Sequence, residues 1–405
     1  MTDESPFFYT WQRQRGARGL EITGGEGCHF DTPEGRFLDL GALVYQANAG
    51  HGHRRIIDAI KAQADQLCLS TPSSHYPAKE ELARELLAAA PEGFTKVFFT
   101  LGGSDANENA LKIARLFTGR YKTITRYRSY HGASMGAASL SGDWRRAAVE
   151  PGLPGAIHVM DLDEGVPGTQ IPRVLELEEN VGAVFLEPVV GANGVLIPPA
   201  GYFQEVREAC DRHGALLVCD EVLTGFGRCG SFFAFERFDA QPDLITCGKA
   251  ITAGYGTLGA VLVHDRVARF FEDEELVCGL THYAHPLGVA AALESIRVYR
   301  DEGLVANALA LEAPLLRLLE TLPGTGARAL GLLGAVDLDL DDAQLGALGG
   351  ALRKRRVHAH LKGKRQLRRD RGGAVVVSPP LSITEEQLAE GIGRIAEAIH
   401  EVNGD

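Results

Sequence analysis

Asp220 and Lys249 carry the first chemical question in this sequence. Asp220 lies in the apolar run ALLVCDEV (215–222), and Lys249 follows 29 residues later at the end of DLITCGK (243–249). A carboxylate and an amine brought into one dry pocket by neighbouring strands are costly to bury without partners. A pyridine aldehyde cofactor would satisfy both. The carboxylate pairs with the protonated ring nitrogen and keeps the ring an electron sink, while the lysine forms an imine with the aldehyde. The competing reading is a buried Asp–Lys ion pair, and spacing alone does not separate the two.

A second candidate is GGSDANENALK (102–112), where two glycines and Ser104 stand between an apolar strand and a helix. Glycines let backbone approach closely, and the free N–H groups of a helix N-terminus suit a phosphate. Ser104 or Asp105 could equally be a plain helix cap. GASMG (132–136) fits the G-x-S-x-G pattern of a hydrolase nucleophile, but an elbow also needs acid and histidine partners further on. The pairs His51/His53 and His358/His360 lack a further ligand cluster in the sequence, which favours structural histidines over a metal site. The run RKRRVHAHLKGKRQLRRDR (353–371) reads as a solvated basic helix face or, less simply, a nucleic-acid surface.

These residues need a scaffold, and the chain supplies an alternating one. KVFFT (96–100), AVFLEPV (183–189), ALLVCDEV, DLITCGK and GAVLVH (259–264) are short apolar runs separated by amphipathic stretches. One helix is expected from about Ala106 to Phe117. Another places Phe203, Val206 and Cys210 on one face and stops at Gly214. This α/β alternation predicts a mainly parallel sheet covered on both faces, with ligands beyond the carboxyl ends of its strands. GAVDLDL (334–340) and AVVVSPPL (374–381) predict strands of a smaller α+β unit. A last helix is capped by Thr384 and Gln387 and buries Leu388, Ile392, Ile395 and Ile399.

The bulk figures are compatible with such an enzyme. The net charge of −12 and sequence pI near 5.6 exclude a generally basic face for nucleic acid or anionic membrane. Seven cysteines at irregular spacing, with no CxxC, suit reduced thiols in a cytoplasmic protein better than disulfides or zinc. The first residues lack a signal-peptide pattern, and no run is apolar enough to span a membrane.

Across the chain these motifs resemble the class III, or omega, aminotransferases. The segment from EPVVGANG through DEVLTGFGRCG to CGKAITAGYGTLGA (187–260) carries the resemblance most fully. FLDLGALVYQANAGHGH, FFTLGGSDANENALKIAR, SYHGASMGAASLSG, GLTHYAHPLGVAAALESI and SPPLSITEEQL extend it in the same order. The resemblance implies pyridoxal-5'-phosphate and the fold of aspartate-aminotransferase-like, fold type I enzymes, with a seven-stranded-type sheet and a small α+β domain. It implies an N-terminal segment (1–45) that joins the small domain, a cofactor domain (46–300) and a C-terminal domain (301–405).

The same resemblance assigns Lys249 as the Schiff-base lysine and proton shuttle. It sets Asp220 on the pyridinium with Glu187 behind it, and Tyr130 and Val222 on the two ring faces, with His131 in the same motif. Gly103 and Ser104 bind the phosphate, joined by Thr281 from the neighbouring subunit of a homodimer, which a tetramer would also contain. Arg228 is expected to be structural. An arginine ten residues before the first proline of the PPL motif binds substrate carboxylates in amine-type members; that count lands on Arg369, with Arg368 and Arg371 as competitors. Tyr45 aligns with an aromatic wall of the substrate pocket, and Phe7, Phe8, Tyr9 and Trp11 with its entrance or the dimer contact. Leu223 replaces a frequent glutamine, and Arg54 a turn proline. The implied reaction is transfer of an amino group from an amine or omega-amino acid to pyruvate or 2-oxoglutarate. An aminomutase, a decarboxylating transaminase and a cofactor-binding protein without turnover are the alternatives.

Overall fold

The computed structural model describes residues 5–162, 168–367, 369 and 372–404. Its centre is a seven-stranded sheet. In spatial order the strands are Phe94–Thr100, Gly259–His264, Leu244–Cys247, Leu216–Asp220, Val181–Leu186, Lys122–Arg126 and Ala156–Val159. The last five run parallel to one another, while Gly259–His264 is antiparallel to both strands beside it. The central strands are buried throughout, so they read as unbroken apolar runs rather than alternating ones.

Helices cover the sheet. Gly103–Thr118 lies across it and buries Ala106, Ala110, Leu111, Ile113 and Ala114. It ends on Gly119 at φ 64°, a left-handed stop that glycine adopts without a Cβ clash. Tyr202–His213 ends the same way on Gly214, as the sequence predicts. The long helix Pro286–Asp301 packs against Arg54–Gln66 and Pro77–Ala89 and leads into the C-terminal part.

That part is built on an antiparallel sheet in the order Thr325–Leu330, Leu333–Leu338, Gly373–Val377, His360–Gly363. The helix Glu385–Asn403 opens with the capping box of Thr384 and Gln387 and buries Leu388, Ile392, Ile395 and Ile399. Near the N-terminus, Gly24–Glu26, His29–Thr32 and Gly35–Asp39 form a meander. Its last strand pairs in parallel with Val357–His358. The basic run at 353–371 is therefore not one solvated helix face. It closes the helix Asp342–Lys354, turns at Arg356 with φ 54°, and supplies two strands and the short helix Lys364–Leu367.

Candidate active site

Asp220 is the last residue of its strand and is buried, 3% exposed. Its Oδ2 accepts a hydrogen bond from Asn107 Nδ2 at 2.7 Å and lies 2.7 Å from His131 Nδ1; its Oδ1 accepts the Val222 N–H at 3.0 Å. Asn107 also donates to the His131 carbonyl and accepts from Thr246 Oγ1, both at 2.7 Å. His131 Nε2 is 3.1 Å from Thr125 Oγ1. The carboxylate is thus fixed by one helix residue and two loop residues, with Thr246 and Thr125 on other strands of the sheet holding Asn107 and His131, and it still has acceptor capacity.

Lys249 follows the neighbouring strand and opens a tight turn with φ 44°, an unusual conformation for a residue with a side chain. Among the described residues its ammonium has no hydrogen bond or ion pair. Burial holds its pKa below the usual lysine range; Asp220 and Glu187 pull it up, while Arg145 and Lys362 push it down. Lys249 and Asp220 are therefore close enough to feel each other but form no ion pair, which removes the simplest alternative to a shared ligand. Glu187 lies behind, its Oε1 accepting the Tyr130 N–H at 3.0 Å and its Oε2 the Gly191 N–H at 3.1 Å. Burial raises its pKa.

The glycines beside Asp220 serve close approach. A Cβ on Gly103 would come within 2.4 Å of Val222 Cγ1, and one on Gly248 within 2.8 Å of the Gly103 nitrogen. Val222 and the start of the helix Gly103–Thr118 therefore form one wall. Ser104 Oγ sits at that helix start, 2.6 Å from Ser134 Oγ, and accepts the Ala133 and Ser134 N–H groups. Hydroxyls and N–H groups at a helix N-terminus fit a phosphate. Ser134, the serine of GASMG, is thus committed to this cup rather than to an acid–histidine pair.

Tyr130 stands across the cleft. The Arg145 guanidinium lies 3.8 Å from its ring centroid and also bonds Asp143. A cavity of about 520 Å³ opens beside them, lined by Trp11, Trp144, Arg146 and Arg365 among others. Tyr45 follows a run of positive φ angles at Ala42 and Leu43 and stacks on His360, with ring centroids 4.1 Å apart. Its hydroxyl is buried with no hydrogen-bond partner, and Lys362 Nζ lies 5.4 Å from its ring. Leu223 packs in the same apolar group as Tyr45.

The remaining expectations scatter more widely. Arg369 bonds Asp337 Oδ2 at 3.0 Å, beside the Arg328–Asp337 pair. Arg368 and Arg371 lie outside the described residues. Thr281 is exposed in a turn, and Ala133 and Ser134 of the cup are exposed as well. Phe7, Phe8 and Trp11 are exposed, and Trp11 also faces Arg145. Arg54 starts a helix and bonds Asp58. Arg228 is buried and donates to the Leu332 and Pro379 carbonyls and to Asn48 Oδ1. His51 and His358 both bond Asp39, so neither waits for a metal; no group suited to a metal occurs among the described residues. Sequence reasoning passes over Asn107, Arg145 and Lys362. Asn107 sits one turn into a helix beside the phosphate motif, the one signal that draws attention to it.

An aminotransferase class-III family model matches residues 11–399. The chain belongs to the class-III aminotransferase family. It is 32% identical to an omega-aminotransferase of Caulobacter vibrioides, over 95% of this chain and 93% of that one. It is also 32% identical to a putrescine–pyruvate aminotransferase of Pseudomonas aeruginosa, covering 94% and 90%. A solved taurine:2-oxoglutarate aminotransferase from Bifidobacterium kashiwanohense, in complex with PLP and glutamate, superposes with a TM-score of 0.89. It is 34% identical and covers 98% of this chain and 96% of that one. This class-III aminotransferase has the fold type I architecture and is a pyridoxal-phosphate-dependent transaminase. No described helix is long and apolar enough to cross a membrane.

Proposed function

We propose that this enzyme takes the amino group of an amine or omega-amino acid and delivers it to a 2-oxo acid, with Lys249 and Asp220 as the two groups that hold the cofactor. The observation that carries the assignment is the recessed Lys249 amine without a partner, facing a fixed Asp220 carboxylate it does not touch. When bound, pyridoxal phosphate supplies an aldehyde that captures amines and a ring that withdraws electrons from the captured carbon.

The chain's own residues do the rest. Asp220, held by Asn107 and His131, presents a carboxylate oxygen to the ring nitrogen and keeps a proton there. Lys249 Nζ, its pKa lowered by burial, takes and returns a proton at the substrate carbon more readily than a free lysine would. Tyr130 and Val222 flank the ring and exclude water, and Glu187 steadies Tyr130 through its backbone N–H. Gly103 and Ser104 receive the phosphate at the helix start. Thr281, exposed in its own chain, would complete the phosphate site across a dimer.

We place Tyr45 on the substrate side of the cleft. The segment 1–45 would act with a C-terminal domain (301–405), a reading supported by the pairing of Gly35–Asp39 with Val357–His358, and 46–300 would hold the cofactor. A cytoplasmic location suits the seven unpaired cysteines. The relatives named for omega-amine, putrescine and taurine transfer support the donor class.

Purified protein given pyridoxal phosphate is expected to show a visible absorption band that Lys249→Ala abolishes. Amine donors should convert that band to the amine form, and a 2-oxo acid should restore it. A band that survives Lys249→Ala would overturn the lysine assignment, and one unmoved by every donor would overturn the transfer reaction.

A further inference from the structure

The substrate side of the cleft holds a second lysine without a partner. Lys362 lies on the strand His360–Gly363, its Nζ 5.4 Å from the Tyr45 ring centroid. Among the described residues its ammonium has neither a hydrogen bond nor an ion pair. The Tyr45 hydroxyl beside it is buried and equally unpartnered. Arg145 comes from the other wall, and both cations act on Lys249. Arg145 already has a carboxylate partner in Asp143, but the recessed ammonium and the buried phenol bond no carboxylate, and an anionic ligand would complete both.

We propose that Lys362, with Tyr45 and Arg145, binds the acid group of carboxylate- or sulfonate-bearing substrates, and that loss of the Lys362 proton lets the same pocket accept uncharged amine substituents. The inference deepens the transaminase reading and rests on it. It also moves the acid-binding role away from Arg369, which already bonds Asp337.

The pocket alternates between two kinds of molecule in any such reaction, since a 2-oxo acid always carries a carboxylate and an amine donor need not. An arginine there would stay charged and would have to be moved aside. A lysine can shed its charge. Burial and then Arg145 push the Lys362 pKa down to about 8, with Asp143 pulling it back up. The groups that face it are Arg145 and Asp143 from one wall, Tyr45 and His360 from another, and Lys249 across the cleft. Burial and Lys362 itself hold His360 well below the usual histidine range, so His360 stays neutral there. The proton passes to solvent when an uncharged donor enters and returns when an acid enters. A pKa lowered by burial to about 8 keeps the neutral form of Lys362 within reach near neutral pH.

The test uses the holoenzyme and propionate, an acid that has no amine to transfer. Calorimetric titration from pH 6.5 to 9.5, in two buffers of different ionisation enthalpy, reads both the dissociation constant and the protons taken up. The wild type should bind propionate more weakly as pH rises through about 8, with proton uptake on binding above that value. Lys362→Met should weaken propionate at pH 7 by about ten- to hundredfold, the loss expected for a charge-assisted hydrogen bond. Lys362→Arg should keep propionate binding and lose the step near pH 8. It should also raise the KM of propylamine relative to that of β-alanine. Lys249 also titrates, and the Lys362→Arg comparison subtracts its contribution. The proposal is overturned if Lys362→Met binds propionate like the wild type, or if the step near pH 8 persists in Lys362→Arg. Neither readout needs turnover, so an enzyme that binds propionate this way but transfers no amine would sink the transaminase reading alone. Retention of the visible cofactor band shows that each variant is folded at the site.

Discussion

The residue that most constrains the site is Asn107. It holds Asp220 and the His131 carbonyl with its amide N–H groups while its oxygen takes the Thr246 proton. Asn107→Ala strands all three partners in a buried place, which should cost about 2 kcal/mol of stability. Asn107→Asp keeps the shape but turns the bond to Asp220 into a carboxylate–carboxylate contact. Spectrophotometric titration with pyridoxal phosphate should therefore rank wild type first, Asn107→Ala second and Asn107→Asp last. Equal affinity in the Asp variant would show that Asn107 does not orient Asp220. Asp220 and Lys249 were legible in the sequence because an apolar strand that ends in a charge advertises a site. Asn107 was not, since a polar residue in the first turns of a helix has many uses and its partners lie 24 to 139 positions away.

At the scale of elements, the join between the meander and the C-terminal strands decides where Tyr45 stands. Asp39 ends the strand Gly35–Asp39, buried, and accepts from His358, His51 and the N–H groups of Gly41 and Leu43. Burial opposes its charge, but the His358 and His51 bonds outweigh it and hold the carboxyl below the usual carboxylate range. Its stabilisation is therefore complete above the ordinary aspartate value near 3.9 and is lost as pH falls through the lower folded value. Asp39→Asn should lower stability by about 3 kcal/mol at pH 7. In urea unfolding the gap to the wild type should stay constant down to about pH 5 and narrow below about pH 4. A gap unchanged at the lowest pH would assign the loss to shape rather than charge. The strand core was readable from apolar runs. The antiparallel direction of Gly259–His264 was not, because a fully buried strand carries no mark of its direction. Lys362 was hidden for a related reason: the break at Arg356 inside a run of basic residues leaves no period to separate a solvated helix from a strand aimed at the cleft.

For the whole molecule, the question is which groups act within one chain and which across two. Arg228 acts within: its buried guanidinium, lowered to about 10 by burial and still charged at neutral pH, ties Asn48 to the Leu332 and Pro379 carbonyls. Thr281 is proposed as the opposite case. It is exposed, as are Ala133 and Ser134 of the cup it would join. If Thr281 completes the site of a second copy, mixed dimers distinguish the arrangements. Thr281→Ala homodimers should bind pyridoxal phosphate about tenfold more weakly, the loss of one hydrogen bond to a phosphate. Lys249→Ala homodimers should show no lysine-linked band at all. When the two variants are unfolded together, refolded and isolated as heterodimers, one site holds an intact Lys249 from the first chain. A threonine acting across the interface would reach that site from the Lys249→Ala chain, restoring wild-type affinity to half the sites. A threonine acting within its own chain would leave that intact Lys249 in a site that still lacks the hydroxyl, and the affinity would stay weak. The band's titration curve in the heterodimer therefore reads the geometry of assembly directly, through a residue that a single chain leaves idle.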